Sequence, residues 1–178
     1  MKSRHVLSVL VENRFGELAR IVGLFSGRGF NIDSLGVNVT LDPTYSRIVL
    51  TTSGSDAIVE QIIKQLRKLV RVKKVVNMSD DRHIERELCV ATVQTANDRA
   101  RQELQRIIAL CSARVIAFSQ TGFTVEATGT STEIDDFLEL VRPLGIREMV
   151  RSAPIAIQRP GAEAAGDSMP PPAGGGQK

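Results

Sequence analysis

Four segments of the chain repeat one spacing of apolar side chains. Leu18, Ile21, Val22 and Phe25 fall at i, i+3, i+4 and i+7. So do Val59, Ile62, Ile63 and Leu66, then Leu104, Ile107, Ile108 and Cys111, and then Ile134, Phe137, Leu138 and Val141. This spacing places each set on one face of a 3.6-residue helix, so it predicts four amphipathic helices with one face each to bury. Around them lie runs rich in β-branched and apolar residues at 6–12, 31–40, 45–53, 72–78, 87–95, 113–129 and 146–152, which read as strands. Thr121-Gly122 divides the run 113–129 into a hairpin. Residues 6–78 therefore read βαββαβ, and residues 87–152 read βαββαβ again.

The duplication is one of architecture, since the residue identities do not visibly repeat. The apolar set moves by 86 residues from the first helix to the third (Leu18 to Leu104) and by 75 from the second to the fourth (Val59 to Ile134). Each unit is expected to fold as a ferredoxin-like four-stranded antiparallel sheet with both helices on one face, because split βαβ crossovers of one hand bring the helices together. The predicted class is α+β. The expected organisation is a first unit over 1–79, a charged linker over 80–86, a second unit over 87–158 and a disordered tail over 159–178 containing Pro170-Pro171-Pro172. Strand 1 carries apolar residues on both parities, Val6 and Leu10 beside Leu7, Val9 and Val11. Burial of both sheet faces follows, and with it oligomerisation to at least a dimer.

Composition narrows the function more by exclusion than by suggestion. The 178 residues are 42% hydrophobic and 24% charged, ordinary values for a globular protein. No apolar run approaches the roughly 18 to 20 residues of a bilayer span and the start does not read as a signal peptide, so a cytoplasmic protein without a membrane partner is expected. Cys89 and Cys111 are too few for a metal site or a disulfide framework and read as small buried apolar residues. The net charge of +3 is a small excess. An RNA-recognition module is also βαββαβ, but it stacks bases on aromatics of its first and third strands. Here strand 1 has none and strand 3 only Tyr45 at its edge, so no nucleic-acid partner is expected.

Catalytic constellations are equally hard to assemble. His5 and His83 lie in no metal-ligand spacing and are expected at the surface. Gly27-Arg28-Gly29 begins like a dinucleotide fingerprint, but Ile32 stands where the third glycine belongs, and the motif follows a helix rather than a strand. The acidic pairs Asp80-Asp81 and Asp135-Asp136 read as solvated charges. The basic series Lys64, Arg67, Lys68, Arg71, Lys73 and Lys74 reads either as a solvated face or as a docking surface for an acidic partner. No acid, base, nucleophile or metal cluster marks the chain as an enzyme.

One helix start breaks the local rules. Helices 2 to 4 are preceded by cap residues: Ser55, Asn97, and Thr130 with Glu133 three residues on. Helix 1 begins Glu12-Asn13-Arg14-Phe15-Gly16-Glu17-Leu18, with Asn13 as its only candidate cap and a glycine in the first turn. Glycine lets another group approach the backbone amides, and unpaired amides at a helix N-terminus bind carboxylates well. A second asparagine, Asn31, follows Gly29-Phe30 and precedes Ile32. Either the two asparagines cap and turn, or they line a small zwitterion pocket: helix amides for the carboxylate, asparagine oxygens for the ammonium, apolar side chains for the tail.

The segment from Leu7 through Asn13-Arg14-Phe15-Gly16-Glu17-Leu18-Ala19-Arg20, followed by Gly29-Phe30-Asn31-Ile32-Asp33-Ser34-Leu35, resembles the ACT domain of the small, regulatory subunit of acetohydroxyacid synthase (acetolactate synthase). Ser46-Arg47, Gln65 to Val70, Glu85 to Leu88 and Thr128-Gly129-Thr130 extend the resemblance over roughly residues 4 to 158. It implies a non-catalytic chain that docks on the catalytic large subunit, raises its activity and confers feedback inhibition by valine or other branched-chain amino acids. Thiamine diphosphate, Mg and FAD are then expected on the catalytic subunit and no cofactor on this chain. The resemblance also implies that the effector lies between two ACT domains of a homodimer. Asn13, Gly16, Glu17 and Leu18 of one chain, the last three through backbone amides, would face Asn31 and Ile32 of the other. The matching stretch of the second unit, Thr95-Ala96-Asn97-Asp98, lacks the Asn-x-x-Gly element, so no equivalent site is expected there.

Overall fold

The computed structural model describes residues 3–78 and 83–160. Residue 79, the first residues of the expected linker (80–82) and the expected tail beyond Pro160 lie outside the described residues. The described residues divide into two compact units, one running to Ile84 and including residues 156–160, the other spanning Glu85–Ile155.

The first unit runs β1 (Ser3–Glu12), α1 (Glu17–Gly27), β2 (Ser34–Val39), β3 (Tyr45–Gly54), α2 (Asp56–Leu66) and β4 (Val72–Asn77). Its sheet has the order β2-β3-β1-β4 with every neighbouring pair antiparallel. The second runs β5 (His83–Gln94), α3 (Asp98–Leu110), β6 (Arg114–Phe118), β7 (Gly122–Gly129), α4 (Ser131–Val141), a 3-10 turn and β8 (Ile146–Arg151), ordered β6-β7-β5-β8. Both units are ferredoxin-like, and the class is α+β. The duplication reaches into an irregularity, since β1 slips against β4 between Leu10 and Val11 and β5 slips against β8 between Thr92 and Val93.

Each unit packs a core between its sheet and its two helices. The first core joins Leu7, Val9 and Val11 of β1 to Ile21 and Phe25 of α1 and Val59, Ile62 and Leu66 of α2. The second joins Cys89, Ala91 and Val93 to Leu104, Ile107, Ile134, Phe137 and Val141. Phe25 and Phe137 are almost wholly buried, and truncating either to alanine costs about 3–5 kcal/mol. On the other face of the first sheet, Val6, Val49 and Met78 pack with Ala156, so β1 is buried on both sides as its double parity requires. Ala156 belongs to β9 (Ile155–Gln158), a short strand that the apolar pattern does not reveal because only one of its side chains is buried.

Several expectations need correction. Residues 83–86 begin strand β5 instead of forming a linker. His5 is buried, not at the surface, with its Nε2 2.8 Å from the Ser3 hydroxyl and 3.7 Å from Asp56 at the start of α2. Leu18 is 40% exposed, so it does not belong to the buried face of α1. The equivalent core positions are Ile21 and Leu104, which reduces the displacement between α1 and α3 from 86 to 83. The helix ends agree with this, since the Phe30 N–H bonds the Phe25 carbonyl and the Ala113 N–H bonds the Ile108 carbonyl. Asp135 is tied to Arg151 instead of being merely solvated.

Candidate functional site

Helix α1 starts on Gly16, which stands at the N-cap with φ of 84° and ψ of −7°. Only glycine adopts this left-handed geometry without strain, and nothing lies within 4 Å of where a Cβ would sit, so the space beside the turn is open. Asn13 does not cap the helix. Its backbone N–H donates to the Thr44 carbonyl at 2.7 Å and its side-chain Nδ2 to the Pro43 carbonyl at 3.1 Å, which fixes the amide and leaves Oδ1 as its free end. The Arg20 N–H reaches the Gly16 carbonyl at 3.0 Å and the Glu17 N–H reaches the Arg14 carbonyl at only 3.4 Å. The amides of Leu18 and Ala19 find no acceptor among the described residues, and no side chain caps the turn. Glu12, Asn13, Arg14, Thr44 and Tyr45 line an adjoining open cleft of about 470 Å³.

The carboxylate of Glu17 faces inward. It is 3% exposed, Oε1 accepts from Arg71 Nη1 at 3.1 Å, and Oε2 is buried without a hydrogen bond. Only the backbone of Glu17 is therefore presented to the outside. Beside it, Lys73 contacts Glu12 at 2.7 Å, and Arg71 lies 4.0 Å from the same carboxylate. The hydrogen bond from Lys73 holds the Glu12 carboxyl below its ordinary range, and Glu12 in turn raises Lys73. The supposed basic docking surface is thereby largely consumed within the chain: Lys64 pairs with Glu60, Arg67 bonds the Val75 carbonyl, and Arg71 and Lys73 serve the helix entry.

The remaining two candidate residues lie elsewhere. Asn31 and Ile32 precede β2 at the opposite end of β3, where the Thr52 hydroxyl donates to the Asn31 carbonyl at 2.7 Å. Asn31 Nδ2 donates to Asp33 Oδ1 at 2.6 Å, so this amide also has its nitrogen engaged and its Oδ1 free. Ile32 packs partly against the first core. Thr44 and Thr52, which hold the two asparagines, are eight residues apart along one extended strand, about 25 Å at the usual rise. The structure thus brings together Asn13, Gly16, Glu17 and Leu18 and keeps Asn31 and Ile32 away from them.

The other helix starts differ. Asn97 accepts the Ala100 N–H at the start of α3, and Thr130 with Glu133 forms a complete capping box on α4, whose backbone hydrogen bond lowers the Glu133 carboxyl. Ser55 occupies the N-cap of α2, but contrary to expectation its hydroxyl makes no cap bond. Absence of a cap therefore does not single out α1. The left-handed glycine, the two open amides and the neighbouring asparagine do.

Two ferredoxin-like units in tandem, the first entered through an open Asn-x-x-Gly helix start, define the class as a tandem ferredoxin-like α+β protein. A family model described as "AHAS small subunit-like ACT domain" matches residues 7–74, and one described as "Small subunit of acetolactate synthase" matches residues 86–160. The acetolactate synthase small subunit of Aquifex aeolicus is 39% identical over 156 residues, covering 88% of this chain and 81% of the relative. The isozyme 3 small subunit of Escherichia coli is 41% identical over 157 residues, covering 88% and 96%. The crystal structure of the small subunit from Thermotoga maritima superposes with a TM-score of 0.79 at 32% identity, covering 88% of this chain and 98% of that one. The chain belongs to the acetolactate synthase small-subunit family.

Proposed function

We propose that this chain works in the cytoplasm as a homodimer that docks on the catalytic large subunit of acetolactate synthase, raises its activity and imposes feedback inhibition by valine or a related branched-chain amino acid. Thiamine diphosphate, Mg and FAD belong, in this reading, to the catalytic subunit. The observation that carries the proposal is the entry of α1, where the Leu18 and Ala19 amides are open beside a left-handed glycine and an asparagine oxygen. Backbone N–H groups at a helix start suit a carboxylate, and asparagine oxygens suit an ammonium. The second oxygen, on Asn31, lies about 25 Å away in the same chain. A second copy would supply it, with Ile32 and Leu18 beside the aliphatic tail. β2 is an edge strand with Val37 and Val39 exposed, a surface that pairing with another copy would cover.

Binding across a twofold reports to the catalytic subunit if valine favours one arrangement of the dimer, with coupling typically of about 1–3 kcal/mol. Calorimetric titration of the purified chain with valine, leucine and isoleucine tests the reading. Saturable binding with one effector per protomer, together with inhibition of the reconstituted synthase over the same concentrations, is expected. Inhibition that requires no effector binding to this chain would contradict it.

A further inference from the structure

The segment that carries Asn31 is pinned to β3 by three consecutive residues. The Asp33 N–H bonds the Thr51 carbonyl at 2.9 Å, the Thr52 hydroxyl bonds the Asn31 carbonyl at 2.7 Å, and the Ser53 hydroxyl bonds Asp33 Oδ2 at 2.6 Å. Asp33 closes this arrangement with its other oxygen, which accepts Asn31 Nδ2 at 2.6 Å. The side chain of Asn31 alone could present either its NH₂ or its oxygen. The carboxylate decides, because it can only accept, and so it captures the nitrogen and turns Oδ1 outward. The Asn13 amide is turned the same way by the Pro43 carbonyl.

We infer that Asp33 is a positioning residue for the ammonium of the effector: it orients Asn31 Oδ1 as an acceptor and places a negative charge beside it, with Ser53 holding the carboxylate in register. The inference rests on the effector site proposed above. A site built this way distinguishes an amino acid from the same molecule with a hydroxyl or hydrogen in place of its ammonium, because a charge-assisted hydrogen bond is lost along with the charge pairing. Such discrimination excludes the 2-keto and 2-hydroxy acids that share valine's carbon skeleton.

The test uses the full chain reconstituted with the catalytic subunit, with thermal melting of each variant alongside. Asp33→Ala should raise the half-inhibiting valine concentration by about tenfold, with the limiting inhibition at saturation retained. Asp33→Asn, which keeps an acceptor for Asn31 but removes the charge, should fall between Asp33→Ala and the parent. Ser53→Ala, a milder change on β3, should weaken valine by about twofold to threefold. The decisive comparison is with 2-hydroxy-3-methylbutyrate, whose weak binding should be the same for the parent and for Asp33→Ala. An unchanged valine response in Asp33→Ala, or an equal loss for valine and its hydroxy analogue, overturns the role of Asp33. If Asn13→Ala and Asn31→Ala abolish inhibition while Asp33→Ala leaves the half-inhibiting valine concentration unchanged, the site stands and this inference alone fails. Full inhibition in both asparagine variants removes the site and the inference with it.

Discussion

Asn13 and Asn31 are fastened to the two ends of the same strand. Asn13 hangs from the Thr44 carbonyl just before β3 begins, and the carbonyl of Asn31 receives the Thr52 hydroxyl near its other end. At the usual rise the strand between spans about 25 Å, whereas an amino acid spans only a few ångströms. Two asparagines with the same free atom, Oδ1, can therefore serve one small ligand only if they come from different chains. A twofold that brings α1 of one protomer to the β2 entry of the other creates two such sites at once.

Gly16→Asp acts on that site in two ways. It forces an L-residue into φ of 84° at a strain of about 1–2 kcal/mol, and it aims a carboxylate at the Leu18 and Ala19 amides that would receive the effector. Inhibition assays on the reconstituted synthase should show the half-inhibiting valine concentration raised by more than about tenfold. An unchanged dose response would separate the open helix entry from regulation.

Ser112 offers a change in the opposite direction. It ends α3 with φ of 52°, where α1 uses Gly29 with φ of 69°. Ser112→Gly removes the left-handed penalty but adds freedom to the unfolded chain, for a net gain of about 0.5–1 kcal/mol. Chemical denaturation should show the second unit moving to higher denaturant with an unchanged slope. A decrease in stability would mean that the Ser112 hydroxyl has a partner that the geometry does not reveal.

Arg151 on β8 gathers the second unit. Its guanidinium bonds Glu87 on β5, Asp135 on α4, and both the carbonyl and the hydroxyl of Ser131. Burial opposes its charge, but the Asp135 and Glu87 hydrogen bonds prevail and push the guanidinium above its usual value. Arg151→Met takes its ion pair from the buried Glu87 carboxylate and should cost about 3–5 kcal/mol, read by thermal or chemical unfolding. Glu87→Gln together with Arg151→Met should recover part of that loss, because the buried charge that Arg151 balanced is gone. A double variant no better than the single one would show that the charge is not the source of the cost.

The outline of the fold was legible because each helix had one apolar stripe and each strand a dense β-branched run, which is how Val59, Ile62 and Leu66 fell onto Ile134, Phe137 and Val141 at the correct spacing. Leu18 misled the comparison of α1 with α3, since an apolar residue at the right period is indistinguishable in sequence from a core residue even when it is 40% exposed at a helix entry. His5 was misread because its surroundings come from elsewhere in the chain: β3 pairs alongside it, and Asp56, 51 residues away, lies 3.7 Å from its ring. The glycine and the two asparagines of the site stood out as local irregularities. Asp33, Thr52 and Ser53 did not, because nothing in their spacing shows that one loop is laced to β3 by three neighbouring residues. The pairing of Arg71 with Glu17 was hidden in the same way: in sequence Arg71 is one of six basic residues, and only the sheet order brings it under α1.

The central claim is that each effector site is built from two chains, and mixing two inactive variants tests it most directly. Asn13→Ala and Asn31→Ala should each abolish valine binding alone. When the two are unfolded together and refolded at equal concentration, about half of the dimers are mixed and each mixed dimer has one intact site of two, so about a quarter of all sites should return. Calorimetric titration of the refolded mixture should therefore recover valine binding at about a quarter of the parent's capacity and close to the parent's affinity. A mixture that binds no valine, although each variant folds and the dimers exchange, would show that both asparagines act within one chain and would contradict the account.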